Sequence, residues 1–143
     1  MKFLFVCSHQ IQNLIPLFKE LNKKKDINFK VIYWEKLSND HYDDEFRQMI
    51  NFNIDLYNDY DFHSLSNQKN TTTNFFTFFN QLIILFKLIK FLIKEDFDTI
   101  LFYGYYYPHI IASIFAKMLG KKTIIRSVSY NLGNRNIFKK IAR

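Results

Sequence analysis

Cysteine occurs once in this chain of 143 residues, at Cys7, which excludes an internal disulfide and points to a reducing compartment. Glycine occurs three times. Neither a Walker-type phosphate loop nor a G-x-G-x-x-G dinucleotide fingerprint can be written with so few, and the corresponding nucleotide-binding readings fail. The four histidines, His9, His41, His63 and His109, lack metal-ligand spacing, so no metal dependence is expected. The apolar run behind Met1-Lys2 is too short for a signal peptide and meets no small-residue cleavage site. A cytoplasmic chain is therefore expected.

What the chain does have is apolar mass: 48% of it is hydrophobic, enough to fold one domain with a real core. The net charge of +7 is unevenly placed. Through residue 70, nine Lys/Arg face ten Asp/Glu, whereas from residue 71 on eleven face three. A basic second half suits an anionic partner, such as a membrane surface, a phosphate or a nucleic acid. Part of the excess is also what an AT-rich coding sequence produces, carried as a solvated surface. No nucleic-acid-binding motif is present, and no nucleic-acid partner is expected.

Residues 96–129 read as strand, helix, strand. D-T-I-L-F-Y at 98–103 is a short apolar run of strand formers, broken by Gly104-Tyr105-Tyr106-Tyr107-Pro108-His109. Helical spacing resumes over 110–119, Gly120 stops it, and K-T-I-I-R at 122–126 forms a second strand. Such a βαβ unit forces a parallel sheet, and ligands bind beyond the carboxyl ends of its strands. The opening is a second such unit: a buried strand over 2–7, a helix carrying Ile11 to Leu21 on one broad face with Ser8 as its N-cap, and a strand over 28–34. The fold class is thus α/β, a Rossmann-like three-layer domain with a parallel sheet.

Residues 35–74 show no sustained period and read as a long loop, with one short extra strand over 60–65. Residues 74–95 form the longest helix, in which Asn80, Lys87, Lys90 and Lys94 share a narrow stripe and nearly everything else is Phe, Leu or Ile. Three placements are compatible with it: packed on the sheet with its lysines outward, resting on an anionic membrane surface, or spanning a bilayer. The lysines make the last costly. A final helix-like segment at 131–143 stops without a cap, as in the front part of a longer protein.

Several residues at the strand ends can carry chemistry. His9 follows the first strand, where it can donate to a phosphate or hydroxyl, and Gln12 follows within a turn. Packing against backbone is the plainer explanation for His9. Gly104 permits a positive φ or close backbone approach to a ligand. Tyr105 and its neighbours can stack on a sugar ring, or simply pack. Pro108 suits a first helical turn, leaving amides near His109 able to face an anion. Arg126 ends an apolar strand and must reach the rim or pair with an anion. Asp43, Asp44 and Glu45 form an acidic cluster in the long loop, a solvated turn unless something fixes it as a general base.

Taken together, these segments resemble the bacterial family 4 glycosyltransferases. Ser8-His9-Gln10-Ile11-Gln12 followed by Pro16-Leu17-Phe18 is similar to their first loop and helix, and Val31-Ile32-Tyr33-Trp34 to their second strand. Tyr42-Asp43-Asp44-Glu45-Phe46 and Asp59-Tyr60-Asp61-Phe62 resemble their acidic loop, with Asn53 at the usual tryptophan. Residues 98–106 and 121–129 resemble the later strand-loop-helix-strand unit, with Val128 where relatives carry an acid or histidine.

The resemblance implies the N-terminal half of a GT-B architecture, two Rossmann-like domains facing across a cleft. Residues 1–143 would then be a single acceptor-binding domain, cut before the C-terminal domain that binds the nucleotide-sugar donor as co-substrate. It implies a retaining, metal-independent glycosyltransferase of polysaccharide or glycolipid synthesis that needs no cofactor. His9, Gln12, Gly104, Tyr105, His109, Arg126 and Ser129 would contact acceptor or diphosphate. The partners implied are a sugar or lipid-linked acceptor, an anionic inner-membrane surface, and the donor domain in cis or on a partner chain. The alternative is a non-catalytic membrane-docking subunit of a split glycosyltransferase.

Overall fold

Four consecutive side chains of the first strand, Leu4, Phe5, Val6 and Cys7, are all buried, so this strand is covered on both faces. A computed structural model describes residues 1–35, 40–43, 48–51, 55–66 and 78–126. In chain order it contains β1 (Lys2–Cys7), a 3₁₀ turn (Gln12–Leu14), α1 (Ile15–Asn22), β2 (Asn28–Glu35), β3 (Asp40–Asp43), β4 (Gln48–Asn51) and β5 (Phe62–Ser66). There follow α2 (Phe78–Lys94), β6 (Thr99–Tyr103), α3 (Tyr107–Met118) and β7 (Lys122–Arg126). The main sheet is five-stranded, all parallel, in the order β5-β2-β1-β6-β7. β3 and β4 pair antiparallel as a separate ribbon.

The strand period of two sorts the apolar side chains into two cores. On one face Phe5, Cys7, Phe29, Val31 and Tyr33 meet Ile15 and Phe18 of α1. On the other Leu4, Val6, Ile32, Ile100 and Phe102 meet Leu85, Leu88 and Leu92 of α2 and Ala112 and Ala116 of α3. The result is the three-layer α/β, Rossmann-like arrangement expected from the sequence.

Three expectations need correction. Ser8 does not cap a helix; the chain stays irregular to residue 11 and α1 begins at Ile15, with Pro16 in its first turn. Residues 35–74 are not loop apart from the expected short strand, which is β5 at the sheet edge, because they also contain the β3–β4 ribbon. Nor is the outward side of α2 a lysine stripe alone, since Phe79, Ile83, Phe86 and Ile93 are exposed beside Lys87, Lys90 and Lys94. Asp44, Glu45 and the segment 131–143 lie outside the described residues.

Two local devices hold the layers in place. The Tyr60 hydroxyl donates to Leu56 O and sits 2.9 Å from the Tyr33 hydroxyl, tying the 55–61 turn across the α1 face. Burial pushes the Tyr60 phenol up to about 12 and the Tyr33 phenol higher still. At the end of α3, Gly120 takes φ +77° while Lys121 N–H bonds Ala116 O and Gly120 N–H bonds Lys117 O. This is a Schellman stop, which explains why a glycine ends the helix there.

Phe18 packs edge-on against Phe5, with ring centroids 4.8 Å apart, and is fully buried. Phe18→Ala should lower the unfolding free energy by about 3–5 kcal/mol in urea titrations. Leu17→Ala, one residue away and exposed, should change it by less than about 0.5 kcal/mol.

Candidate functional site

Chain connections run one way from β1 to β2 and the other way from β5 to β6, so the switch point of the sheet lies between β1 and β6. Ligands of open α/β sheets bind beyond the carboxyl ends at this point. The register brings the relevant termini to one height. Cys7 is level with Tyr33, Val6 with Phe102, and Tyr103 with Arg126. Residues 8–10, Glu35, residues 104–106 and Arg126 therefore form one rim, with adjacent strands about 5 Å apart.

On the β1 side Ser8 is buried and His9 exposed, with Ser8 Oγ 2.9 Å from His9 Nδ1. Gln10 is buried, and its side-chain amide donates to Glu35 O at 3.4 Å. Glu35 N–H reaches back to Ser8 O at 3.3 Å. Thus the loop after β1 and the end of β2 are laced together. Burial pushes the Glu35 carboxyl up to about 7. Gln12 is exposed on the 3₁₀ turn that leads to α1.

On the β6 side Gly104 takes φ +102°, and a Cβ there would collide with the Tyr106 ring. Its N–H donates to Arg126 O at 2.8 Å, which joins the loop to the end of β7. Its carbonyl accepts from His109 Nδ1 at 3.1 Å. Tyr105 and Arg126 are exposed on this side of the rim. Pro108 occupies the first turn of α3, where its missing N–H costs nothing and the remaining amides open toward the rim.

His109 is the sequence-predicted site residue whose ring the structure removes from the rim. It is fully buried, packed edge-on against Trp34 and Tyr106 with centroids 4.8 and 5.4 Å away. The ring stands behind the rim and positions it, by holding Gly104 O. Its Nε2 and the neighbouring Trp34 Nε1 have no hydrogen-bond partner among the described residues. Burial pulls the imidazole down to about 4 and outweighs the backbone hydrogen bonds to Gly104 and Tyr103, which favour the charged form.

The structure thus brings His9, Gly104, Tyr105 and Arg126 to one rim and leaves Gln12 on its outer flank. Ser129 and Val128 lie outside the described residues. Sequence reasoning missed Gln10 and Glu35 as parts of the rim, and Trp34 as part of the packing behind it. Glu35 carried a readable signal, since like Arg126 it is a charged residue closing an apolar strand. Among the described residues no group of His, Cys, Asp and Glu is placed to hold a metal ion. The rim offers hydroxyls, amides, aromatic faces and a guanidinium, a surface suited to a polyhydroxylated and anionic ligand.

Two pH effects follow. A neutral buried His109 must charge as acid unfolds the chain, so stability falls as pH drops from about 6.5 through 4. His109→Asn, whose amide can replace Nδ1 toward Gly104 O, should flatten that limb by about 3 kcal/mol in urea titrations at pH 7 and 4. Glu35 acts in the opposite sense. Its unfolded form ionises first, so stability falls as pH rises from about 4.5 past 7. Glu35→Gln should recover about 1–2 kcal/mol at pH 8 and nothing at pH 4, after allowing for its partial exposure.

No protein-family model and no curated protein matches the sequence. Solved structures do match the fold. The UDP-GlcNAc 2-epimerase from Methanocaldococcus jannaschii aligns with TM-score 0.58 at 18% identity, over 100% of this chain and 36% of its own. The UDP-GlcNAc 2-epimerase from Neisseria meningitidis bound to UDP-GlcNAc aligns with TM-score 0.53 at 18% identity, over 97% of this chain and 35% of its own. The chain therefore spans about a third of the length of these GT-B neighbours and has the Rossmann-like fold of one part of them.

Proposed function

We propose that this chain is the acceptor-side domain of a GT-B enzyme acting on a nucleotide-sugar, and that the reaction is glycosyl transfer. The observation that supports it is the chemical make-up of the switch-point rim. Transfer requires an acceptor hydroxyl held at the anomeric carbon and neutralisation of charge on the departing diphosphate. The rim supplies donors and positive charge for both: Arg126, the first-turn amides of α3, the Ser8–His9 pair, and the Tyr105 ring for a sugar face. Beyond Asp98 the sequence has no Asp or Glu at all, so the β6 and β7 loops hold no carboxylate that would repel a diphosphate.

The structural neighbours carry the name of a different reaction, inversion at C2 of UDP-GlcNAc, which needs a group to take the C2 proton. The carboxyl at this rim is Glu35, and with its pKa near 7 it stays largely protonated in mildly acid solution. A carboxyl so raised is matched to general acid–base work near neutral pH, so C2 epimerisation is the competing reading that the assay below separates from transfer. By resemblance to family 4 enzymes, transfer would proceed with retention and without metal, on a sugar or lipid-linked acceptor. The donor would be held mainly by a further domain in cis or on a partner chain.

The test uses the full-length protein with a panel of nucleotide-sugars and lipid-linked or free glycan acceptors. Acceptor-dependent release of nucleoside diphosphate is expected, with the anomeric configuration retained in the product by NMR. Arg126→Ala should lower kcat by about 100- to 1,000-fold. Acceptor-independent inversion at C2 would replace this reading with epimerisation. Absence of turnover with every donor would favour the non-catalytic docking subunit.

A further inference from the structure

Helices α2 and α3 pack side by side on one face of the sheet, and their inner sides complete the core. Their outer sides are also apolar. Phe79, Phe86 and Ile93 of α2 are 76%, 69% and 65% exposed, and Ile114 and Met118 of α3 are 58% and 79% exposed. Between the two helices runs a groove of about 360 Å³, floored by Leu82, Leu85, Pro108 and Ile111. The two outer stripes and the groove make one apolar face, larger than scattered surface hydrophobics explain.

The charged side chains of the two helices have one sign, and at the β5 flank of α2 four lysines, Lys30, Lys87, Lys90 and Lys94, outnumber the two carboxylates of Asp61 and Glu95 in one cavity. The two helices carry Lys87, Lys90, Lys94 and Lys117 and no Asp or Glu. Lys87 donates to Leu65 O, whereas Lys90, Lys94 and Lys117 make no ion pair among the described residues. A solvated surface intersperses both signs. A second copy of the chain on a two-fold axis would press a face of net positive charge against its like. Aromatic and aliphatic side chains interleaved with unpaired lysines fit instead an interface with hydrocarbon beneath and negative headgroups above. There the apolar groups insert and the lysine stems rise to the phosphates. No helix among the described residues is long and apolar enough to cross a membrane, so the contact is with the surface.

We propose that the joint outer face of α2 and α3 docks on an anionic lipid bilayer. Both helices start at the carboxyl edge of the sheet, and exposed Tyr107 lies two residues from Tyr105 of the rim. Docking therefore sets the rim beside the headgroup plane. The docking rests on the two helix faces and not on the chemistry of the rim, so a failed transferase assay leaves it standing.

Flotation of the full-length protein tests it, using phosphatidylcholine vesicles with and without phosphatidylglycerol at low and high salt. The protein should float with the phosphatidylglycerol vesicles and be partly released by salt. The triple variant Lys90→Glu, Lys94→Glu, Lys117→Glu should partition about 100-fold more weakly. Phe86→Ser with Ile114→Ser should abolish the salt-resistant fraction. Both variants should keep the wild-type melting temperature, because every altered side chain points outward. Equal partition into neutral and anionic vesicles would overturn the proposal, as would no flotation with either or unchanged flotation of both variants. A soluble dimer that Phe86→Ser dissociates would assign the face to a second copy and also overturn it.

Discussion

The hydrogen-bond ladder that β1 shares with β2 on one side and β6 on the other sets where everything else can be. Both pairings are parallel, so each connection must cross a face of the sheet rather than turn at its edge. The α1 crossover covers one face and the α2 and α3 crossovers cover the other. With the helices leaving in opposite senses, the loops after β1 and β6 cannot close over the strand ends between them. A crevice at Ser8 and Gly104 is thus a consequence of topology, before any side chain is chosen.

What makes this opening a site is how firmly its two lips are held. On one lip Gln10 and Ser8 exchange bonds with Glu35 backbone. On the other, Gly104 is tied by its N–H to Arg126 O and by its carbonyl to the buried His109 ring. Its positive φ, forbidding to any side chain, turns the backbone back toward β7. Holding the Gly104 carbonyl leaves the buried His109 ring with one unsatisfied nitrogen, a cost offset by its packing among Trp34, Phe102 and Tyr106. The surrounding aromatics are therefore part of the site although none of these three need touch a ligand.

Much of this was legible in the sequence, for identifiable reasons. Parallel strands buried on both faces leave continuous apolar runs, and β1 and β2 could be bounded within a residue from them. Gly120 and Arg126 were legible because a single residue type breaks a strong local pattern. Burial of His109 was not, since it depends on Trp34 arriving from β2 across 75 residues of chain. The β3–β4 ribbon escaped for another reason: short strands such as D-H-Y-D have almost no apolar period to read. Placing His9 and Gly104 on facing lips needed only the order of the strands. Assigning Glu35 to the same rim needed the register.

The outer faces of α2 and α3 present a different kind of problem, because folding does not require them. Leu85, Leu88 and Leu92 already fill the space above the sheet, and small Ala112 and Ala116 let α3 approach it closely. Phe86, Ile93, Ile114 and Met118 add no core contact that explains their size. Left in water they favour association of any kind, and aggregation in particular. Unpaired lysines limit that hazard between copies of the chain by mutual repulsion, and the same positive charge attracts an anionic surface. One composition thus opposes self-association and favours lipid. A face that the core among the described residues does not need is the kind of surface that the proposed docking on an anionic bilayer would use.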